Sequence, residues 1–502
     1  MSELPQGWQD AKIGNLITLN PKNECEKHLE VGFMPMQLLG MNYLESPKYE
    51  HRKWQDVRKG YTHFADNDVL LAKITPCFEN GKAGIPRDLP NGLGAGSTEY
   101  FVCRPLDIVL PKYLLAFFKT KEFLQTGAVT MTGSVGHKRI PKDFLLNCEI
   151  PLPPLNEQKR IADKLDSLLK RVDTCRERLD RAPLILKRFR QAVLAAATSG
   201  ALTEDWREHN REHVGANLVF AQHGDAQNEV VQDGIDPESQ GQSQGLPLRG
   251  REEDEGLPKG WLISQVKSVS SSLKYGTSQK CSYENKGVPV LRIPNIGERV
   301  VSHNDIKYAE LPANEFELLR LQLGDILVIR SNGSVSLIGK SAIVRDTEKD
   351  FAYAGYLIRI RPDQTKIQPE YLNLALECNE VRLQIEVPAR STSGVNNINS
   401  DELRALSFNL PPLPEQHEIV RRVEKLFAFA DRMEARYTAA RSQVETLTPS
   451  LLAKAFRGEL VEQDPTDEPA AVLLERIRAQ KESSPTKIRK RTTSAHQIVP
   501  LL

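Results

Sequence analysis

Two long stretches of the chain place apolar residues at alternating steps of four and three. The first passes through Ile161, Leu165, Leu168, Val172, Cys175, Leu179, Ala182, Leu186, Phe189 and Val193. The second passes through Ile419, Val423, Leu426, Ala430, Met433, Tyr437, Ala440, Val444, Leu447 and Leu451. A sustained heptad stripe predicts a long helix whose apolar edge must be covered by a partner. Two such helices in one chain most simply cover each other, antiparallel. Pro183 and Pro449 fall inside the patterns and predict a kink in each. A different pattern precedes each stripe. Short β-type runs, "DVLLAKI", "EYFVCRP", "GDILVIR" and "YLIRIRP", are broken by Gly, Pro and Asn, and helical stretches such as 110–125 lie between them. This predicts a mixed α/β domain ahead of each helix.

The patterns match because the chain is a duplication. "LPQGWQDAKIGNL" at 4–16 pairs with "LPKGWLISQVKSV" at 257–269, and "LPKYLLAFF" pairs with "IQPEYLNLAL". "PPLNEQKRI" from Pro153 pairs with "PPLPEQHEI" from Pro411, an offset of 258 that persists through "LAAATSGAL" and "LAKAFRGEL". In each copy prolines end a strand and Asn156 or Pro414 opens the helix. Glu157 or Glu415 then sits in the first turn, where negative charge suits the helix dipole. The layout is two front domains, 1–150 and 257–410, two helical regions, 151–206 and 411–464, a linker at 207–256 and a tail at 465–502. The fold class is therefore α+β: two tandem mixed α/β domains separated by two long antiparallel helices in a coiled coil, related by a pseudo-twofold axis.

Charge sharpens this layout. The chain carries only +1, but residues 207–256 hold 4 basic and 11 acidic groups, net −7, so the remainder carries +8. That balance allows basic surfaces on the folded parts. The Gln-, Gly- and Asp-rich segment "AQHGDAQNEVVQDGIDPESQGQSQG" reads as a flexible linker, and "KIRKR" in the tail as a disordered basic run. Seven cysteines without a CxxC argue for reduced thiols in a cytoplasmic protein. "MSELPQGWQD" has no signal-peptide pattern, and no apolar run is long enough to span a membrane.

Catalytic motifs are sparse. "HNREH" matches the HxxEH zinc pattern through His209 and His213, but it opens the acidic linker and has no counterpart in the second copy. "GSVSLIGKS" ends like a phosphate loop but has one residue too many between glycines and runs into a strand-like "AIV". What remains is polar chemistry on Gly-flexed loops. The first copy offers Lys73, Thr75, Asn80, Lys82, Ser97, Thr98, Ser134, His137, Lys138 and Arg139. The second offers Lys274, Tyr275, Thr277, Ser278, Lys280, Arg292, Asn295, Arg330, Asn332, Arg390, Ser391, Ser393, Asn396 and Asn397. These residue types reach phosphates and base edges. They recur at matching places with different sequences, as two related readers of different targets would.

The doubled "LP.GW", the "DVLLAKITPCFENGK" segment and the doubled proline–EQ–helix motif resemble the specificity subunit of a type I restriction–modification system. The resemblance covers nearly the whole chain except the linker and the tail, and this linker is longer and more acidic than the family pattern. It implies two target-recognition domains, each reading half of a split DNA site, and a coiled coil that fixes the gap between halves. It implies no catalysis and no cofactor on this chain. Two modification subunits would hold S-adenosylmethionine and methylate adenine, and restriction subunits would use ATP and Mg. Base-contacting residues of the family vary too much to transfer, so the candidates above rest on side-chain chemistry. Two other readings stay open from the residues alone: a coiled-coil adaptor whose domains bind proteins, and an enzyme, either a zinc hydrolase or a solitary methyltransferase.

Overall fold

The computed structural model describes residues 4–134, 136–210, 256–386 and 396–483. Most of the expected linker, "KIRKR", His213, Arg390, Ser391 and Ser393 lie outside the described residues. The chain divides into two compact units, Met1–Asp180 with Tyr437–Leu502, and Arg181–Arg436. Each unit therefore joins one front domain to helical segments from both copies.

In the first unit a four-stranded sheet runs in the order Ile17–Leu19, Tyr100–Pro105, Val69–Ala72, Ala83–Gly84. A second sheet orders Glu50–Lys53, Glu30–Met34, Leu93–Gly96, Thr62–Ala65. In the second unit the order Ser270–Tyr275, Leu357–Pro362, Ile326–Ile329, Ser341–Ile343 repeats the first sheet and adds Arg299–Val300. Lys307–Ala309, Val288–Leu291 and Ala352–Tyr353 repeat the first three strands of the second. In both units the strand that opens after "LP.GW" pairs antiparallel with the strand that leads into the long helix, Gln9–Lys12 with Glu149–Leu152 and Leu262–Gln265 with Ser407–Leu410. "VLLA" and "ILVI" are buried at every position, as central strands covered on both faces must be. Ser341 opens a strand and its hydroxyl donates to Asn373, so "GKS" forms no phosphate loop.

The duplicated words of the sequence become duplicated buried polar fasteners. The Trp8 indole donates to Glu157 at 3.1 Å, and the Trp261 indole to Glu415 at 2.9 Å. Gln158 accepts from the Leu110 amide and donates to the carbonyls of Ile108 and Pro153. Gln416 accepts from the Gln368 amide and donates to those of Lys366 and Pro411. Arg104 forks onto Asp68, and Arg361 onto Asp325, at 2.7–2.8 Å. Tyr113 and Tyr371 each donate at 2.6 Å to a carbonyl of the strand before the long helix. Buried polar groups with every bond met specify one packing, because any other packing strands them.

The long helices are Leu155–Asp180, Ala182–Ser199 and Leu413–Phe456. Within the first unit Arg176 donates to Thr448 and Arg441 pairs with Asp180. Within the second Arg190 bridges Asp431 and Glu434, and Arg422 holds Asp205. Rising numbers meet falling ones, so the helices run antiparallel. The buried stripe departs from the strict heptad. Ile161, Leu165, Leu169 and Val172 are buried, as are Ile419, Val423, Phe427 and Ala430; Leu168, Leu426 and Leu451 are only half-buried, while Leu452 is buried. Cys175 and Leu447 are exposed. These runs step by four, four and three, eleven positions in all, the drift of a nearly straight helix. Near the helix starts the stripe also packs on a front domain: Ile161, Leu165 and Leu169 share one core with Tyr113, Leu114 and Phe117. Pro183 marks the cut between two helices, whereas the Leu413–Phe456 helix continues through Pro449.

Candidate nucleic-acid interface

The Val69–Ala72 strand delivers Lys73 to the end of its sheet. The Lys73 amide donates to the Glu99 carbonyl at 2.9 Å, and the Lys73 carbonyl accepts from the Ile140 amide at 2.9 Å. Two chain segments are thereby tied to one point. The Lys73 ammonium donates to the Thr98 carbonyl and lies 5.5 Å from the centre of the Phe101 ring. Thr75 and Lys138 exchange main-chain and hydroxyl bonds, and Ser97 accepts from the Glu99 amide. Arg139 forks onto Glu99 at 2.7 and 2.8 Å and donates a third bond to the His137 carbonyl. This guanidinium, with Lys73 and His137 adding to it, holds the Glu99 carboxyl below the usual carboxylate range. The structure thus gathers Lys73, Thr75, Ser97, His137, Lys138 and Arg139, with Ser134 on the adjoining turn. Asn80 faces instead a cavity of about 470 Å³ shared with Tyr43 and Lys119. Lys82 is tied to the Met36 carbonyl and is withdrawn from the gathered set.

The second unit builds the same frame. The Arg330 amide donates to the Tyr356 carbonyl at 3.0 Å, and the Arg330 carbonyl accepts from the Ile398 amide at 2.8 Å. Ser331–Asn332 pairs antiparallel with Asn396–Asn397. The Arg330 guanidinium lies 4.5 Å over the Tyr275 ring, and its Nε donates to Asn397 Oδ1 at 3.3 Å. Tyr275, Arg330, Asn332 and Asn397 are gathered here, with Lys274 adjoining and Ser278 and Lys280 exposed on the following loop; Asn396 pairs with Asn332 along the strand, but its side chain is buried and donates to the Gly333 carbonyl. Three expected residues point elsewhere. Asn295 is wholly buried, accepting from the Arg292 amide and donating to the carbonyls of Ser302 and Asn304. Thr277 is buried with its hydroxyl on Glu315. Arg292 is held by Asp305.

Two residues of the frame escaped the residue-type reading. Glu99 and Tyr356 do not stand among the polar loop candidates of the sequence. The repeat carried the signal: each stands at the head of the aligned "EYFVCRP" and "YLIRIRP" runs.

His209 bonds to the carbonyl of Asp205 in its own helix. Among the described residues no group of three His, Cys, Asp or Glu side chains is placed to hold a metal, and no helix is long and apolar enough to cross a membrane.

Comparison with known proteins agrees with this picture. The family model described as "Type I restriction modification DNA specificity domain" matches residues 5–182 and 258–439. The specificity subunit of the type I restriction enzyme EcoKI from Escherichia coli K12 is 30% identical over 502 aligned residues, covering 96% of this chain and 97% of its own. A chain from a solved type I restriction–modification assembly superposes with a TM-score of 0.63 at 18% identity, covering 91% of this chain and all of its own. The HsdS subunit of Thermoanaerobacter tengcongensis gives 0.58 at 17% identity, covering 91% and 98%. These matches give no support to the adaptor or the hydrolase.

Proposed function

The chain belongs to the type I restriction–modification DNA specificity family, and from that premise we propose that each front domain reads one half of a bipartite double-stranded DNA site through the frame around Lys73 or Arg330. The observation that carries this reading is the contrast inside the repeat. Fasteners that hold the fold are duplicated residue for residue, while the corner residues of the same frame differ. A scaffold kept constant under changed tips is what two readers of unlike sequences require.

Cationic side chains supply contacts to phosphates, which position the protein without reading sequence. Base-edge contacts in the major groove then discriminate, each good bidentate pair contributing about 1–3 kcal/mol. The paired helices set the gap between half-sites, and two heads on one chain raise the effective concentration of the second once the first is bound. The chain itself performs no chemistry. It recruits two methyltransferase subunits, which carry S-adenosylmethionine, and through them helicase–nuclease subunits that use ATP and Mg. It works in the cytoplasm, where that DNA is.

Methylome sequencing of cells with and without the gene tests the reading. A split, asymmetric adenine-methylated motif that vanishes on deletion is expected. Identical methylomes would remove the proposal.

A further inference from the structure

Main-chain bonds fix three matched corners in each half. Lys73, Glu99 and Arg139 occupy them in the first, and Arg330, Tyr356 and Asn397 in the second. The amide at the first corner donates to the carbonyl at the second, and its own carbonyl accepts from the residue after the third, at 2.8–3.0 Å in both halves. The backbone is the same, but the guanidinium has changed corner.

Each arginine is held from behind. Arg139 gives Nε and Nη2 to the Glu99 carboxylate and one Nη1 proton to the His137 carbonyl. A guanidinium has five N–H donors, so one on each terminal nitrogen is left over from these three bonds. Arg330 gives its Nε to Asn397 and lies on the Tyr275 ring, and these contacts use neither of its terminal nitrogens. A fork with its base fixed loses little freedom on binding. Its span matches the O6 and N7 acceptors of guanine in the major groove.

We infer that Arg139 and Arg330 are the guanine readers of their respective halves, each buttressed by its own domain, so that each half-site contains a guanine recognised by one of them. The inference rests on the proposed DNA-reading function and deepens it. It assigns Glu99 and Asn397 as positioning residues, not as contacts.

The test uses the assembled specificity–modification complex and duplexes bearing the wild-type methylation motif. Guanines are replaced one at a time by 7-deazaguanine, which lacks the N7 acceptor. One replacement in the first half is expected to weaken the wild-type complex about tenfold and to leave Arg139→Ala unaffected; Arg330→Ala behaves likewise in the second half only. Glu99→Gln, which keeps Arg139 but loosens its base, is expected to lose part of that sensitivity. A wild-type motif lacking a G·C pair in either half overturns the inference while leaving the DNA-reading function intact. So does a variant weakened equally on every duplex with a salt slope reduced by about one, the behaviour of a phosphate contact. Absence of any split motif in wild type removes the underlying function instead.

Discussion

The glutamates of the doubled EQ motif show how one residue type takes different weight in two copies. Glu157 accepts from the Trp8 indole and from the Gln463 amide, both neutral. Glu415 accepts from the Trp261 indole, the Thr203 hydroxyl and the Arg207 guanidinium, the last at 2.5 Å, and it is wholly buried. Replacing a carboxylate by an amide keeps an oxygen for the indole but leaves a partly buried guanidinium without its counter-charge. Glu415→Gln is therefore expected to cost about 3 kcal/mol, and Glu157→Gln about 1 kcal/mol. Urea denaturation followed by tryptophan fluorescence measures both, and equal losses would contradict the assignment. From the sequence these carboxylates read as partners of a helix dipole. The actual partner lies 149 or 154 positions away, and residue types alone do not reveal a contact at that range. The repeated "LP.GW" and "EQ" did mark both ends of it.

At the scale of elements, the helices, their antiparallel pairing and the mixed sheets followed from periodicity and turn residues. The register of the buried stripe did not. A heptad count assumes that a helix meets one partner along its length, whereas the start of the Leu155–Asp180 helix also meets a front domain, and there the stripe moves from Leu168 to Leu169. The same step carries it from Leu451 to Leu452 in the second copy. Leu169→Ala removes a side chain buried in that core and is expected to cost about 2–4 kcal/mol. The half-buried Leu168→Ala is expected to cost about 1 kcal/mol. Chemical denaturation of the pair decides the register, since a heptad seam gives the opposite order. The interface was legible only as a class of side chains on loops. Asn295 and Thr277 have suitable chemistry but serve as buried ties, and side-chain type does not say which way a loop residue faces.

At the scale of the whole molecule, the duplication gives each unit a matching knot. Gly200, at φ +84°, ends a helix with its α-carbon against Pro258, beside Trp261 and Arg207. Gly458, at φ +72°, lies against Pro5. Four residues inserted after either glycine would fall in these knots and not in a rod. The place to lengthen the rod is where Arg441 pairs with Asp180. Seven residues added after Asp180 and seven before Arg441 keep that pair and preserve the phase of the stripe. They add about 10 Å of helix, close to three base pairs at about 3.4 Å each. The gap in the methylated motif is then expected to grow by about three base pairs. Methylation should weaken, because three pairs also turn the duplex by about 100° while a heptad scarcely turns the helix. The same seven residues added to one helix alone have no partner to pair with and should abolish modification without moving the gap. An unchanged gap in the doubly extended protein, with methylation retained, would show that something other than the paired helices measures the distance.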